Sequence, residues 1–175
     1  SDDHRPWAIG IYRGKIYVGV VCSGQSSGLR DDLSATVFEL NNGLFTNVLS
    51  FALDYDRAFA GRGLYNYELH ADWQAWDDDD TYDTWDGTFN PGFYNPSHNQ
   101  PILSDIQFDN EGSMILGFVD RMGNQVGYAN LVPTVGDLTQ EFALTAGDIL
   151  KACTTGTAWV LEGDAGCAQS FSGIS

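Results

Sequence analysis

The stretch GKIYVGVV at 14–21 returns at 112–119 as GSMILGFV, with every apolar position kept and both glycines in place, Gly14 with Gly112 and Gly19 with Gly117. A repeat of this kind constrains the fold more than any other feature of the chain. Each copy must bury an apolar face that it cannot bury alone, so neighbouring copies have to pack together. In both places the stretch is the second half of a strand pair. WAIGIYRGKIYVGVVCSG turns at Arg13-Gly14, and ILSDIQFDNEGSMILGFVDRMG (102–123) runs the same way. A second pair follows each. SATVFELNNGLFTNVLSFAL turns at Asn41-Asn42-Gly43, residues that tolerate positive φ, and GDILKACTTGTAWVLEG (147–163) turns at Thr155-Gly156. Short apolar runs punctuated by turn residues predict strands. Helical signals are weak, LTQEFALTAGDIL (138–150) offering a single turn.

The predicted organisation is all-β, in two four-stranded antiparallel units over 7–53 and 102–163. A long loop insertion, 54–100, separates them, and a shorter excursion, 120–146, interrupts the second. Tandem four-stranded units are the sequence sign of β-propeller blades. Gly19 and Gly117 suit a strand lying close to neighbouring backbone. A closed propeller needs about four to eight blades. The chain therefore reads as part of a larger propeller or as a two-blade unit completed by self-association. A β-sandwich is the alternative.

Charge narrows the partners. Eight Lys and Arg stand against 24 Asp and Glu, a formal charge of −16 over 175 residues. Such a field repels phosphate, which argues against nucleic acid and anionic lipid and favours cations. No apolar run approaches the roughly 20 residues of a membrane-spanning helix, so membrane insertion is not expected. A chain that starts at Ser1 rather than Met is expected to be a processed or excised piece. Few lysines and many Asp, Asn, Gly, Ser and Thr suit a secreted β-rich protein. Of the three cysteines, Cys153 and Cys167 are the closest pair and the expected disulfide in an oxidising compartment, leaving Cys22 odd. Three reduced, buried thiols in a cytoplasmic protein are the other possibility.

The segments RPWAIGIYRGKIYVGVVCSG, LSFALDYDRAFA, PILSDIQFDNEGSMILGFVDRMGNQ and GDILKAC resemble a β-propeller region of large bacterial secreted and cell-surface proteins, where it stands beside SdrD B-like, Ig-like or adhesin modules. The resemblance spans about Arg5 to Cys167 and is carried by structural motifs, among them Asp120-Arg121. It implies an extracellular, multidomain parent and a scaffold or adhesive role, with further blades on either side. It implies no active site.

The insertion holds the richest side-chain chemistry, WDDDDTYDTWDG at 76–87. Calcium takes six to eight oxygens from carboxylates and carbonyls, and Asp77, Asp79, Asp80, Asp83 and Asp86 are the candidate ligands. The stretch does not follow the EF-hand spacing, because Tyr82, Thr84 and Phe93 fall where ligands belong. Adjacent carboxylates in an extended segment also point to opposite faces. The plain alternative is a solvated acidic loop. Trp73, Trp76 and Trp85 are candidates for a carbohydrate-binding face. The plain alternative there is a small core for the insertion. His4, His70 and His98 lack zinc spacing, and no nucleophile signature or phosphate-binding loop is present.

The function expected is structural or adhesive. An extracellular or bacterial cell-surface module of this kind would bind other domains of its parent chain or copies of itself, with calcium as the stabilising ion. The alternative is a secreted carbohydrate-binding protein or glycoside-active enzyme with its site in 54–100. A sugar site needs exposed tryptophans beside partly buried carboxylates, whereas a structural module buries them.

Overall fold

In the computed structural model the described residues are 3–57, 59–62, 68–78, 98–125, 127–131, 135–138, 140–142, 145–156 and 158–167. The first four strands are β1 (His4–Tyr12), β2 (Lys15–Cys22), β3 (Ser34–Asn41) and β4 (Leu44–Ala52). They pair antiparallel in chain order into one four-stranded sheet, sheet 1. Its two hairpins turn where residues adopt left-handed backbone, Arg13 with Gly14 (φ 49° and 77°) and Asn42 with Gly43 (φ 51° and 80°). Positive φ at both central residues matches the right-handed twist of the flanking strands, which is why a two-residue loop suffices.

Sheet 2 takes its strands from further along. β5 (Phe59–Arg62) and β6 (Glu68–His70) come first and pair with each other. β7 (Pro101–Phe108) and β8 (Met114–Asp120) follow, and then a short helix, α1 (Arg121–Gln125). β9 (Tyr128–Leu131) and β10 (Gln140–Phe142) pair with each other, before β11 (Asp148–Thr154) and β12 (Trp159–Leu161). The sheet order is β12-β11-β8-β7, again antiparallel. The described residues are thus mostly strand, with two four-stranded antiparallel sheets as their body. Two expectations change. The turn of helix expected in 138–150 is replaced by β10 and the start of β11, while the α-helix falls at Arg121–Gln125. Both excursions, expected as loop, carry a two-stranded sheet. Their short strands lack the alternation that marks a half-buried strand.

The two sheets face each other across one core. Ala8, Tyr17, Val21, Ala35, Val37 and Leu49 of sheet 1 meet Leu103, Ile106, Met114, Leu116, Phe118 and Leu150 of sheet 2. The approach is closest between β1 and β7. A Cβ on Gly10 would lie 2.7 Å from the Ile106 carbonyl oxygen, and one on Gly19 would lie 2.5 Å from Leu103 Cδ2. At Gly10 only backbone without a side chain permits this spacing, whereas at Gly19 the facing atoms belong to the Leu103 side chain. Beside it, Tyr12 stacks on Phe108 at 4.5 Å between ring centres, and Tyr17 packs against Phe108 and Trp159 at 4.8 and 5.7 Å. At the opposite edge the sheets part. A cleft of about 330 Å³ opens there between Asn47–Phe51 of β4 and Trp159–Leu161 of β12. The pair is a wedge, closed at β1/β7 and open at β4/β12.

Cys153 on β11 is bridged to Cys167, with their Cα atoms 5.3 Å apart, which ties the chain after β12 back to its sheet. Cys22 is free and half-buried.

The wedge makes two similar glycines unequal. Replacing Gly10 by Ala forces the sheets apart and should cost about 1–3 kcal/mol in urea unfolding. A Cβ on Gly117 would meet its nearest neighbour, the Asp105 Cβ, at 3.5 Å. Gly117→Ala should therefore change stability by no more than about 0.5 kcal/mol. Equal losses at the two sites would mean that the close approach is not what Gly10 secures.

Candidate functional site

The chemistry-bearing side chains gather at one end of the sheets, where 53–57, 71–78, 98–101 and 146–148 come together. Trp73 is fully buried and packs on Phe118 of β8, 6.1 Å between ring centres. Its indole N–H donates to the Tyr55 hydroxyl (3.2 Å), which donates to Asp148 Oδ2 (2.7 Å). The Arg57 guanidinium lies 3.5 Å from the centre of the Trp73 ring. Arg57 also donates to the carbonyls of Ala71, Ala146 (3.0 Å) and Gly147 (2.6 Å), and pairs with Asp148 at 3.5 Å. Its side chain is 5% exposed. Burial pulls its pKa down and the Asp148 carboxylate opposes that. Burial, then the Asp148 charge, pushes the Tyr55 phenol far up, so it stays a neutral donor. Arg57 thus joins three separate chain segments by filling carbonyls that strand pairing leaves over.

Trp76, 7% exposed, stands between two arginines, Arg121 at 4.6 Å and Arg5 at 5.5 Å from its ring centre. Its N–H donates to the Pro101 carbonyl (2.9 Å). Asp78 pairs with Arg121 at 2.5 Å and accepts from Gln25 (2.8 Å), and Gln25 in turn accepts from Arg5 (2.8 Å). The Arg121 hydrogen bond and charge hold the Asp78 carboxyl below its ordinary value. Gln100, fully buried, donates to the Asp77 carbonyl and accepts from Arg121. These contacts tie the start of the acidic stretch to both sheets.

Asp120, at the junction of β8 and α1, accepts the backbone N–H groups of Gln100 (2.8 Å) and Met122 (3.0 Å). Burial pushes its pKa up to about 6, with those N–H groups and Arg57 pulling the other way. No sequence motif marked this residue as a buried acid, although Asp120-Arg121 carried part of the resemblance. It is buried where Gln100, the start of α1 and Ala146 meet the end of β8.

Of the expected metal ligands, Asp77 is exposed, and its carbonyl accepts from Arg121 (2.9 Å). Asp79, Asp80, Asp83 and Asp86 lie outside the described residues, as does Trp85. Among the described residues no three His, Cys, Asp or Glu side chains converge as a metal site requires. Nor is any helix among them long and apolar enough to cross a membrane.

Asp120 has a signature in pH. Its folded-state pKa is raised, so between about pH 4 and 6 the folded chain holds a proton that the unfolded chain has lost. The stabilisation from this proton is complete below pH 4 and is lost as the pH rises through 6. Asp120→Asn keeps an acceptor for the Gln100 and Met122 N–H groups and removes the titration. From pH 4 to pH 7 the wild type should lose about 1–3 kcal/mol relative to the variant. Urea unfolding at stepped pH measures the difference, and parallel curves would remove the buried acid from the account.

No protein-family model matches this chain, and no solved structure does. Two curated relatives match. The chain is 28% identical over 169 residues to colossin-A of Dictyostelium discoideum, covering 95% of this chain and 1% of that protein. It is 26% identical over 124 residues to colossin-C of the same organism, covering 71% of this chain and 11% of that protein. The chain spans only a small fraction of the length of the relatives it matches.

Proposed function

We propose that this chain is a structural module of a long extracellular protein, in which the two sheets act as propeller-like blades. The observation that carries the reading is the wedge. Adjacent blades of a propeller crowd at their inner strands and part at their outer ones. Gly10 and Gly19 give that crowding at β1/β7, and the cleft at β4/β12 gives the parting. The Cys153–Cys167 disulfide is consistent with an oxidising, extracellular setting. Relatives in which the matching stretch is a small share of the length fit a module within a larger architecture. The resemblance to bacterial secreted and surface proteins points the same way.

The competing carbohydrate reading needs aromatic faces open to a ligand. Trp73 and Trp76 are instead covered by Arg57, and by Arg5 with Arg121, in contacts within the chain.

Tryptophan fluorescence titrated with neutral and acidic oligosaccharides separates the two. A structural module should give no saturable change, and incubation should release no new reducing ends. A saturable shift, or product, would replace this reading with a sugar site in 54–100.

A further inference from the structure

The two sheets are repeats, yet they do not meet through equivalent faces. In sheet 1 the cross-strand rows Ala8–Gly19–Val37 and Gly10–Tyr17–Glu39 face sheet 2. Sheet 2 has the corresponding rows in Asp105–Gly117–Ile149 and Gln107–Ile115–Lys151, and these point away from sheet 1. Its inward rows are Phe108–Met114–Ala152–Leu161 and Ile106–Leu116–Leu150. Their counterparts in sheet 1 are Ile11–Ile16–Leu40–Phe45 and Ile9–Val18–Phe38, on the outward face. The correspondence is fixed by register and by a bulge at the same place in each first strand, between Pro6 and Ala8 in β1 and between Leu103 and Asp105 in β7. The sheets are therefore related head to tail, as steps of one rotation, and not by a two-fold.

A head-to-tail pair leaves two unlike outer faces. On sheet 1 the outward rows keep the apolar character of a core, with Ile9, Ile11 and Phe45 at 66%, 74% and 62% exposure. A contiguous apolar sheet face of this kind marks a contact surface. On sheet 2 the positions of Ala8 and Gly10 are taken by Asp105 and Gln107, exposed and hydrogen-bonded to each other at 2.9 Å. A Cβ at Gly10 would already collide with the facing backbone, so Gln107 cannot accept a neighbour at that spacing. The rest of this face is mixed, since it keeps Gly117 in the place of Gly19 and leaves Ile149 58% exposed, so the block lies at β7, with Asp105 and Gln107.

We propose that the outward face of sheet 1 is the docking surface for a further four-stranded sheet. The facing side of that sheet carries alanine and glycine where Ala8, Gly10 and Gly19 stand in this chain. The proposal rests on the structural-module reading. It goes further in naming the surface, the chemistry of its partner and the direction of growth, which is from sheet 1 alone. The ground for this occupant is continuity with the interface already formed, since the outward rows of sheet 1 repeat, strand for strand, the sheet 2 face that receives Gly10 and Gly19.

Asp105→Ala/Gln107→Gly converts the closed end into an accepting one, so that a second copy can supply the missing sheet. Light scattering over a concentration series reads the result, with circular dichroism confirming the fold of every variant. The wild type should keep the mass of one chain. The double variant should gain mass with concentration, at least doubling, and adding Ile11→Lys on the opposite face should return it to one chain. A folded double variant that stays at one-chain mass overturns the proposal. So does a wild type that already associates and is dissociated by Ile11→Lys, because copies would then cover this face without alanine and glycine opposite. A misfolded double variant is replaced by Gln107→Gly alone, judged by the same two outcomes. Neither outcome touches the oligosaccharide titration, on which the structural reading stands or falls.

Discussion

The fold hangs on one close approach, sheet 1 against β7, at two positions where sheet 1 carries no side chain. Gly10 and Gly19 let the Ile106 backbone and the Leu103 side chain come nearer than any other residue would allow. That contact closes the wedge at one edge. The aromatic group of Tyr12, Tyr17, Phe108 and Trp159 fills the space that widens away from the glycines. Of those rings, Trp159 also lines the cleft by β4. Close packing without voids leaves little room to vary any one of these independently.

The repeat and its turns were legible because they are local. Arg13-Gly14 and Asn42-Gly43 could be read as hairpin turns from residue type, since few residues accept positive φ. The all-β character followed from the same punctuation. Which face of the first unit turns inward was not legible. Tyr17, Gly19 and Val21 alternate with Ile16, Val18 and Val20, and both sets are apolar, so period-2 patterning cannot choose between them. The same ambiguity hid the non-equivalence of the two sheets, which only the register reveals. The short strands β9 and β10 were missed because three or four residues carry too little pattern to separate strand from loop.

The candidate site was legible in its ingredients and not in their use. Trp73 and Trp76 stood out from the sequence, as did the acidic run that begins at Asp77. Their partners did not, because Arg57, Arg5 and Arg121 come from three distant parts of the chain. A tryptophan beside carboxylates reads as a ligand platform until the cations that cover it are placed. In a chain with eight Lys and Arg, committing three arginines to two indole rings is a large share of its positive charge. Segments far apart in sequence are thereby pinned to the sheet ends by planar cations that satisfy leftover carbonyls and stack on the rings at once.

The meander order of sheet 1 bears on how the chain comes to be folded. Strands β1 to β4 each pair with their neighbour in the chain, so the whole sheet is complete once residue 52 is available. Local pairings of this sort close quickly. The sheet that buries its inner face begins only at Pro101, and its third strand waits until Asp148. During synthesis, sheet 1 therefore passes through an interval with apolar residues bare on both sides. In a long polypeptide of such units, emergence from the ribosome is the stage at which one unit can seize the wrong neighbour.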